Sequence, residues 1–295
     1  MAEPFRTEPF IVEGAAGARI VGEVYYPSRA IDESRPSVVL AHGWTLNRTL
    51  WSRVIRGIHA RVPVRVVAYD QRGHGESSPG DGKASVGQLG DDLATVIGET
   101  LDGSFVLGGH SMGGMTVLAY AGRYSDDLLA RCAGVVLLGT AAADVKRPGW
   151  FGKVEMGVMH VAKRGPRIPA GIFVTNPHQR YLNFGDDADP RDVRLVRKAI
   201  AGTKIRDMGN YFSALEELDE SASMAMLGRL PVTVMVGTKD RLTPPHYARA
   251  LHEGIEGSRL IEVPGKGHML GFEATAEVCD VVADHVRADQ GRLPA

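Results

Sequence analysis

Gly109-His110-Ser111-Met112-Gly113 places a serine between two glycines where an apolar run, Ser104 to Gly108, meets a helical pattern from Met112 to Tyr124. A nucleophilic serine carried on a tight strand-to-helix turn needs small residues two places before and two places after it. A Cβ at either position would collide with the strained backbone. The preceding run has the length and character of a short buried strand. In a chain with 36 glycines the same pentapeptide also arises as an ordinary turn, so its meaning depends on what the rest of the chain sets beside it.

Outward from the serine, strands and helices alternate. On the N-terminal side, Ser37 to Ala41 reads as a strand buried on both faces and ending in His42-Gly43-Trp44. Leu50, Val54, Ile58 and Val62 mark a helix over Leu50 to Arg61, Val64 to Tyr69 returns as a strand, and Ser85 to Leu101 as a helix. Two earlier runs, Pro9 to Glu13 and Ala18 to Tyr26, read as an edge hairpin. On the C-terminal side come a strand at Cys132 to Gly139, then Val232 to Gly237, Pro245 to Glu253, Arg259 to Val263 and Glu273 to Asp289 as strand, helix, strand and helix. This rhythm predicts an α/β fold with a mostly parallel, doubly wound sheet.

The rhythm breaks at about Ala143 and resumes at Leu230, which divides the chain into a core (1–143 and 229–295) and a helical insertion (144–228). Asp189-Pro190 reads as an N-cap followed by a first-turn proline, opening a helix whose Arg191, Arg194, Arg197 and Lys198 form a solvated face. A second pattern sets Met208, Phe212, Leu215 and Leu218 on one face. Trp150, Phe151, Met156, Met159 and Phe212 either line an apolar substrate pocket or form the insertion's own small core.

Asp240 follows the strand Val232 to Gly237, and His268 follows Arg259 to Val263. Both therefore fall just beyond strand C-termini, the end of a parallel sheet at which Ser111 also lies and ligand crevices form. A serine hydroxyl becomes a useful nucleophile when an imidazole takes its proton and a carboxylate fixes that imidazole's tautomer. Ser111, Asp240 and His268 supply these roles in the order Ser, Asp, His. Asp144, after the sixth strand, is the alternative acid. His42 is expected to brace the loop after its strand and His74 to belong to a structural turn. His110 is expected to point away from Ser111. His160, His178 and His246 carry no metal-ligand spacing.

Composition narrows the classes. The formal charge of -1 gives no general attraction to nucleic acid. Asp70 to Ser77 is turn-rich but lacks either glycine pattern of a phosphate loop, so it reads as a turn held by Asp70 and Arg72. Cys132 and Cys279 read as buried free thiols, and no metal or cofactor is expected. The start, Met1 to Arg6, lacks a signal peptide's apolar core and no apolar run reaches the length of a membrane span, so a cytoplasmic protein is expected. Oligomeric state is not legible.

Five segments together resemble a lid-bearing member of the α/β-hydrolase superfamily: His42-Gly43, Asp70-x-Arg72-Gly73-x-Gly75-x-Ser77, Gly109 to Gly114, Gly237-x-x-Asp240 and Gly267-His268. The resemblance implies an eight-stranded core of the α/β-hydrolase fold, a helical cap inserted after the sixth strand, and a serine triad of Ser111, Asp240 and His268. It further implies an oxyanion hole formed by the backbone N–H groups of Met112 and Trp44. The side chains of Trp44 and Met112 are expected to face the acyl pocket, with Leu242 and Met269 lining it. Haloalkane dehalogenases and epoxide hydrolases of this superfamily are similar in layout but carry aspartate where Ser111 stands, which disfavours both. The expected activity is hydrolysis of a carboxylic ester of a small to medium apolar acyl substrate through an acyl-enzyme. Thioester, lactone, amide or C–C bond hydrolysis and cofactor-free perhydrolysis use similar machinery. A non-hydrolytic biosynthetic enzyme or a small-molecule receptor stays open on the same fold.

Overall fold

A computed structural model describes residues 6–145, 149–171 and 174–288, the side chains of 149–155 excepted. The eight strands are β1 (Arg6–Glu13), β2 (Arg19–Tyr26), β3 (Ser37–Ala41), β4 (Val66–Tyr69), β5 (Phe105–His110), β6 (Cys132–Leu138), β7 (Val232–Gly237) and β8 (Arg259–Val263). They form one sheet in the order β1-β2-β4-β3-β5-β6-β7-β8. Pairing is antiparallel for β1 with β2 and for β2 with β4, and parallel from β4 to β8. Every residue of β3, β5, β6 and β7 is buried, which is why these strands read as unbroken apolar runs rather than alternating ones.

Successive strand residues point to opposite faces, and each face has its own core. Val39, Ala41, Phe105 and Leu107 pack on one side with Leu93, Val96, Leu118 and Tyr120, from helices α2 (Val86–Thr100) and α3 (Met112–Arg123). Val38, Leu40, Val106 and Val136 pack on the other with Val54, Ile58, Val278 and Val282, from α1 (Ser52–Arg61) and α12 (Thr275–Ala288). Cys132 and Cys279 are buried thiols not joined in a disulfide, in the cores of opposite faces. Among the described residues no helix is long and apolar enough to cross a membrane.

Between α3 and β6 lies the short helix α4 (Ser125–Arg131). The insertion between β6 and β7 holds α5 (Gly149–Ala162), α6 (Asn176–Asn183), α7 (Pro190–Gly202), α8 (Ile205–Glu216) and a short α9 (Met224–Leu227). Asp189 caps α7 by accepting the Arg191 N–H, and Arg191, Arg194 and Lys198 are exposed as expected. After β7 come α10 (Pro245–Gly254) and, beyond β8, α11 (Leu270–Glu273). Two expectations need correction. The helix expected from Leu50 begins as a 3-10 turn, Arg48–Trp51, because the Asn47 side chain accepts the Thr49 N–H there. The final helix, expected over Glu273 to Asp289, is split at Ala274 into α11 and α12, and Asp289 lies outside the described residues.

The turn Asp70 to Ser77 is structural, but Asp70 and Arg72 hold different neighbours. Asp70 accepts the N–H groups of Arg48 at 2.7 Å and Glu76 at 2.9 Å. Arg72 is fully buried, and its Nε and Nη2 donate to Asp92 Oδ2 and Oδ1 on α2 at 2.5 Å, the same Nη2 also reaching the Ala15 carbonyl at 2.8 Å. Removing one partner of such a pair strands a buried charge. Asp92→Ala is therefore expected to lower unfolding free energy by about 3–5 kcal/mol, measured by urea denaturation.

Burial also holds the imidazoles of His42, His74 and His110 at about 4, 3 and 3, below the unfolded value of about 6.5. Below that pH the unfolded chain binds protons that the folded chain refuses. Stability is thus full above the unfolded value and declines as pH falls toward the folded ones, by up to ~1.4 kcal/mol per pH unit for each imidazole. Asp92 and Asp207, whose carboxyls burial raises, pull in the opposite direction in more acid solution. His74→Phe is expected to flatten the decline between about pH 6.5 and 5, read from urea midpoints at each pH.

Candidate active site

Ser111 sits between β5 and α3 with φ 54° and ψ -122°, a conformation that costs about 1–3 kcal/mol and persists only where its surroundings enforce it. The enforcement is steric. A Cβ on Gly113 would run into the carbonyl of Ala41, and one on Gly109 into the backbone of Gly113 and Gly114. The Ser111 N–H donates to Leu138 O at 2.9 Å, and its carbonyl accepts the Gly114 N–H at 2.8 Å.

The loop after β3 is fixed beside this turn. Gln71 N–H donates to His42 Nε2 at 2.9 Å, so the His42 proton lies on Nδ1 and is given to the Gly43 carbonyl at 2.8 Å. His42 braces the loop as its position in the sequence suggests. Thr116 on α3 donates to Gln71 Oε1 at 2.6 Å, and Gln71 Nε2 donates to the His42 carbonyl. Among the described residues no acceptor is bonded to the backbone N–H of Trp44 or Met112. The Trp44 indole N–H donates to Met208 O on α8 at 3.2 Å, and its ring lies 5.8 Å from that of Phe212. The Met112 side chain does not face the acyl pocket as expected. It is wholly buried with Met115, Ala141 and Tyr211 beneath α8, because the first turn of α3 directs it into that cluster.

His268 Nδ1 lies 2.8 Å from Asp240 Oδ2. Asp240 Oδ1 accepts the N–H groups of Leu242 and Thr243 at 2.8 and 2.9 Å, and Oδ2 accepts the Thr243 hydroxyl at 3.0 Å. Burial pushes the Asp240 carboxyl up, but His268 and these donors outweigh it and hold the carboxyl below its usual range. Asp144 is exposed, and its carbonyl accepts the Tyr247 hydroxyl at 2.8 Å.

Sequence reasoning missed two contacts to the histidine. His110, expected to point away from Ser111, has its Nε2 2.9 Å from the His268 carbonyl, and the two rings are 4.6 Å apart. The Asn183 carbonyl, at the end of α6, accepts the N–H of both His268 and Met269, at 2.9 and 3.1 Å. Neither has a spacing signal, since 158 residues separate His110 from His268 and 85 separate Asn183 from it.

Ser111, His268, Trp44 and Leu242 border one cavity of about 270 Å³. Val158, Met159, Val174, Ile200 and Met208 supply its apolar wall and His178, Gln179 and Asn183 its polar edge. Met269, expected there, instead packs with Leu46 and Phe184 and borders a smaller neighbouring void. Met156 and Phe212 are not among the cavity's lining residues; Trp150 and Phe151 fall outside the residues whose side chains are described.

Comparison with known proteins agrees with this layout. A family model described as alpha/beta hydrolase fold matches residues 36–275. The chain is 24% identical over 261 residues to the 3-oxoadipate enol-lactonase 1 of Acinetobacter baylyi, covering 88% of this chain and 91% of that protein. It is 26% identical over 240 residues to the pimeloyl-acyl-carrier-protein methyl ester esterase of Neisseria meningitidis, covering 81% and 88%. A thermophilic esterase from Thermogutta terrifontis has a similar solved structure, with a TM-score of 0.75 at 24% identity over 95% of this chain and 98% of that one. The matched span runs from the residue before β3 to the first residue of α12 and takes in the serine turn, the insertion and both later loops: the chain belongs to the alpha/beta hydrolase fold family.

Proposed function

We propose that the protein hydrolyses a carboxylic ester of a small to medium apolar substrate through an acyl-enzyme on Ser111. The observation that carries this reading is that Ser111 and His268 open onto one apolar cavity while Asp240 holds the far nitrogen of His268. Two relatives named for an enol-lactonase and a methyl ester esterase support it, since both names describe cleavage of an ester linkage.

In this mechanism His268 Nε2 takes the Ser111 hydroxyl proton as Oγ bonds to the carbonyl carbon. Asp240 keeps the remaining proton on Nδ1 and stabilises the imidazolium. The carbonyl oxygen becomes an oxyanion between the N–H groups of Trp44 and Met112, and loss of one such donor typically costs about 3 kcal/mol of transition-state stabilisation. His268 then gives its proton to the departing alcohol as the C–O bond breaks, and later deprotonates the water that releases the acid and restores Ser111. In this reading 144–228 acts as a cap whose Met159, Ile200 and Met208 exclude water from the acyl group. A lactone follows the same course with its leaving alkoxide still tethered; the enol-lactonase relative favours including lactones in any substrate panel.

A fluorophosphonate probe is expected to label Ser111, and Ser111→Ala to lose both labelling and hydrolysis of p-nitrophenyl esters. An unlabelled wild type, or a Ser111→Ala protein that keeps full turnover, would sink the hydrolase reading. Asp240→Asn is expected to keep the fold and lower kcat by about 10⁴-fold through the wrong imidazole tautomer, while Asp144→Asn leaves kcat within a factor of about two.

A further inference from the structure

The polar edge of the cavity carries a second recognition element. Gln179 on α6 is 7% exposed and borders the cavity. Its orientation is fixed by its neighbour one turn on. Asn183 Nδ2 lies 3.2 Å from the Gln179 backbone carbonyl, which can only accept, so that atom is the amide nitrogen; it therefore also donates to Gln179 Oε1 at 2.8 Å. The Gln179 Nε2 group then points away from this bond, and among the described residues it has no hydrogen-bond partner. It is not among the fully buried polar atoms left without partners among the described residues, so it keeps some accessible surface on a residue that borders the cavity. The remaining described lining is apolar apart from Ser111, His268, Thr45, Asn183 and His178, and includes no Lys or Arg.

A buried donor facing an apolar cavity is costly unless the ligand supplies an acceptor. A carboxylate would need more, because one neutral N–H does not compensate the removal of a full charge from water. We propose that Gln179 is a specificity-determining residue whose Nε2 group donates to a second, uncharged oxygen of the substrate. The substrate class is then a neutral ester or lactone carrying a keto, ether or hydroxyl oxygen on its acyl side, rather than a plain alkyl ester or a dicarboxylic half-ester. This rests on the hydrolase reading of the site and deepens it.

The test compares p-nitrophenyl hexanoate with its 4-oxo and 5-oxo derivatives and with the mono-p-nitrophenyl ester of adipic acid. Selectivity is taken as a ratio of kcat/KM within each protein, so general damage cancels. The wild type is expected to favour one oxo ester over hexanoate by about tenfold or more, and hexanoate over the adipate half-ester. Gln179→Glu keeps an oxygen for Asn183 but replaces the donor with an acceptor, and is expected to abolish the oxo preference, as is Gln179→Leu. A role for Gln179 only in holding Asn183 predicts that Gln179→Glu retains the preference. That result, or equal rates for oxo and plain esters in the wild type, overturns the proposal while leaving the hydrolase reading intact if Ser111 is still labelled. The same comparison by calorimetry, with the methyl esters of hexanoic and oxo-hexanoic acids binding to Ser111→Ala, needs no turnover. Equal affinities there overturn the proposal whether or not the protein is a hydrolase.

Discussion

The close approach of helix α3 to the ends of β3 and β5 is the contact on which the remaining geometry depends. Ala41 and Gly109 are paired neighbours in the sheet, and Gly113 lies against the Ala41 carbonyl at a distance that leaves no room for a side chain. That contact forces the chain to reverse within one residue, which puts Ser111 at positive φ and sets the start of α3 beside the loop leaving β3. The unsatisfied N–H groups of a helix start carry roughly half a positive charge. Met112 and Trp44, whose amides form the oxyanion hole in the proposed mechanism, each follow one of two adjacent strands, β5 and β3.

Asp240 and His268 reach the same place from β7 and β8, across the end of β6. What permits this crossing is Gly139, at φ 50°, on which a Cβ would stand 3.1 Å from Asp240 Oδ2 and 3.3 Å from His268 Nδ1. The insertion then clamps both loops. Arg241, next to Asp240, donates to the Tyr181 carbonyl at 2.7 Å and the Phe184 carbonyl at 3.1 Å. Asn183 O holds His268, Asp186 N–H reaches Gly265 O at 2.9 Å, and the Glu273 carboxylate accepts Gly185 N–H and Gly267 N–H at 2.7 and 3.0 Å. Helix α6 and the residues just after it therefore border the cavity and also set the backbone that presents the imidazole. A change in the packing of α6 acts on chemistry as well as on fit.

This division explains what the sequence reveals and what it hides. Buried parallel strands announce themselves as apolar runs, and strand-end loops carrying Ser111, Asp240 and His268 are local features with local spacing, so the sheet and the members of the proposed site are legible. Side-chain direction is not. Chain adjacency to Ser111 and His268 suggests Met112 and Met269 for the pocket, yet one is buried in the cluster beneath α8 and the other packs with Leu46 and Phe184. The contact between His110 and His268 is hidden because 158 residues separate them, and only the fold brings the later loop to the earlier ring. Gln179 sits in a helix whose sequence, Asn176 to Asn183, gives no sign of which face meets the core, since that face is chosen by contacts between segments far apart.

In the proposed mechanism environment alone assigns different work to the two imidazoles at the site. The tilted rings of His110 and His268 have centroids 4.6 Å apart, and two cations at that separation would repel strongly in a buried setting. His268 faces the ionised carboxyl of Asp240 and a cavity. His110 has the ring of Trp51 at 6.5 Å and the carbonyl of His268, and burial keeps it neutral to about pH 3. When His268 takes up a proton in the proposed reaction, the adjacent ring adds no charge and its one N–H points to the backbone carbonyl of His268 itself. In the proposed mechanism the histidine beside Ser111 thus steadies the histidine that would take its proton, because only one of the two has a carboxylate to make the cation tolerable.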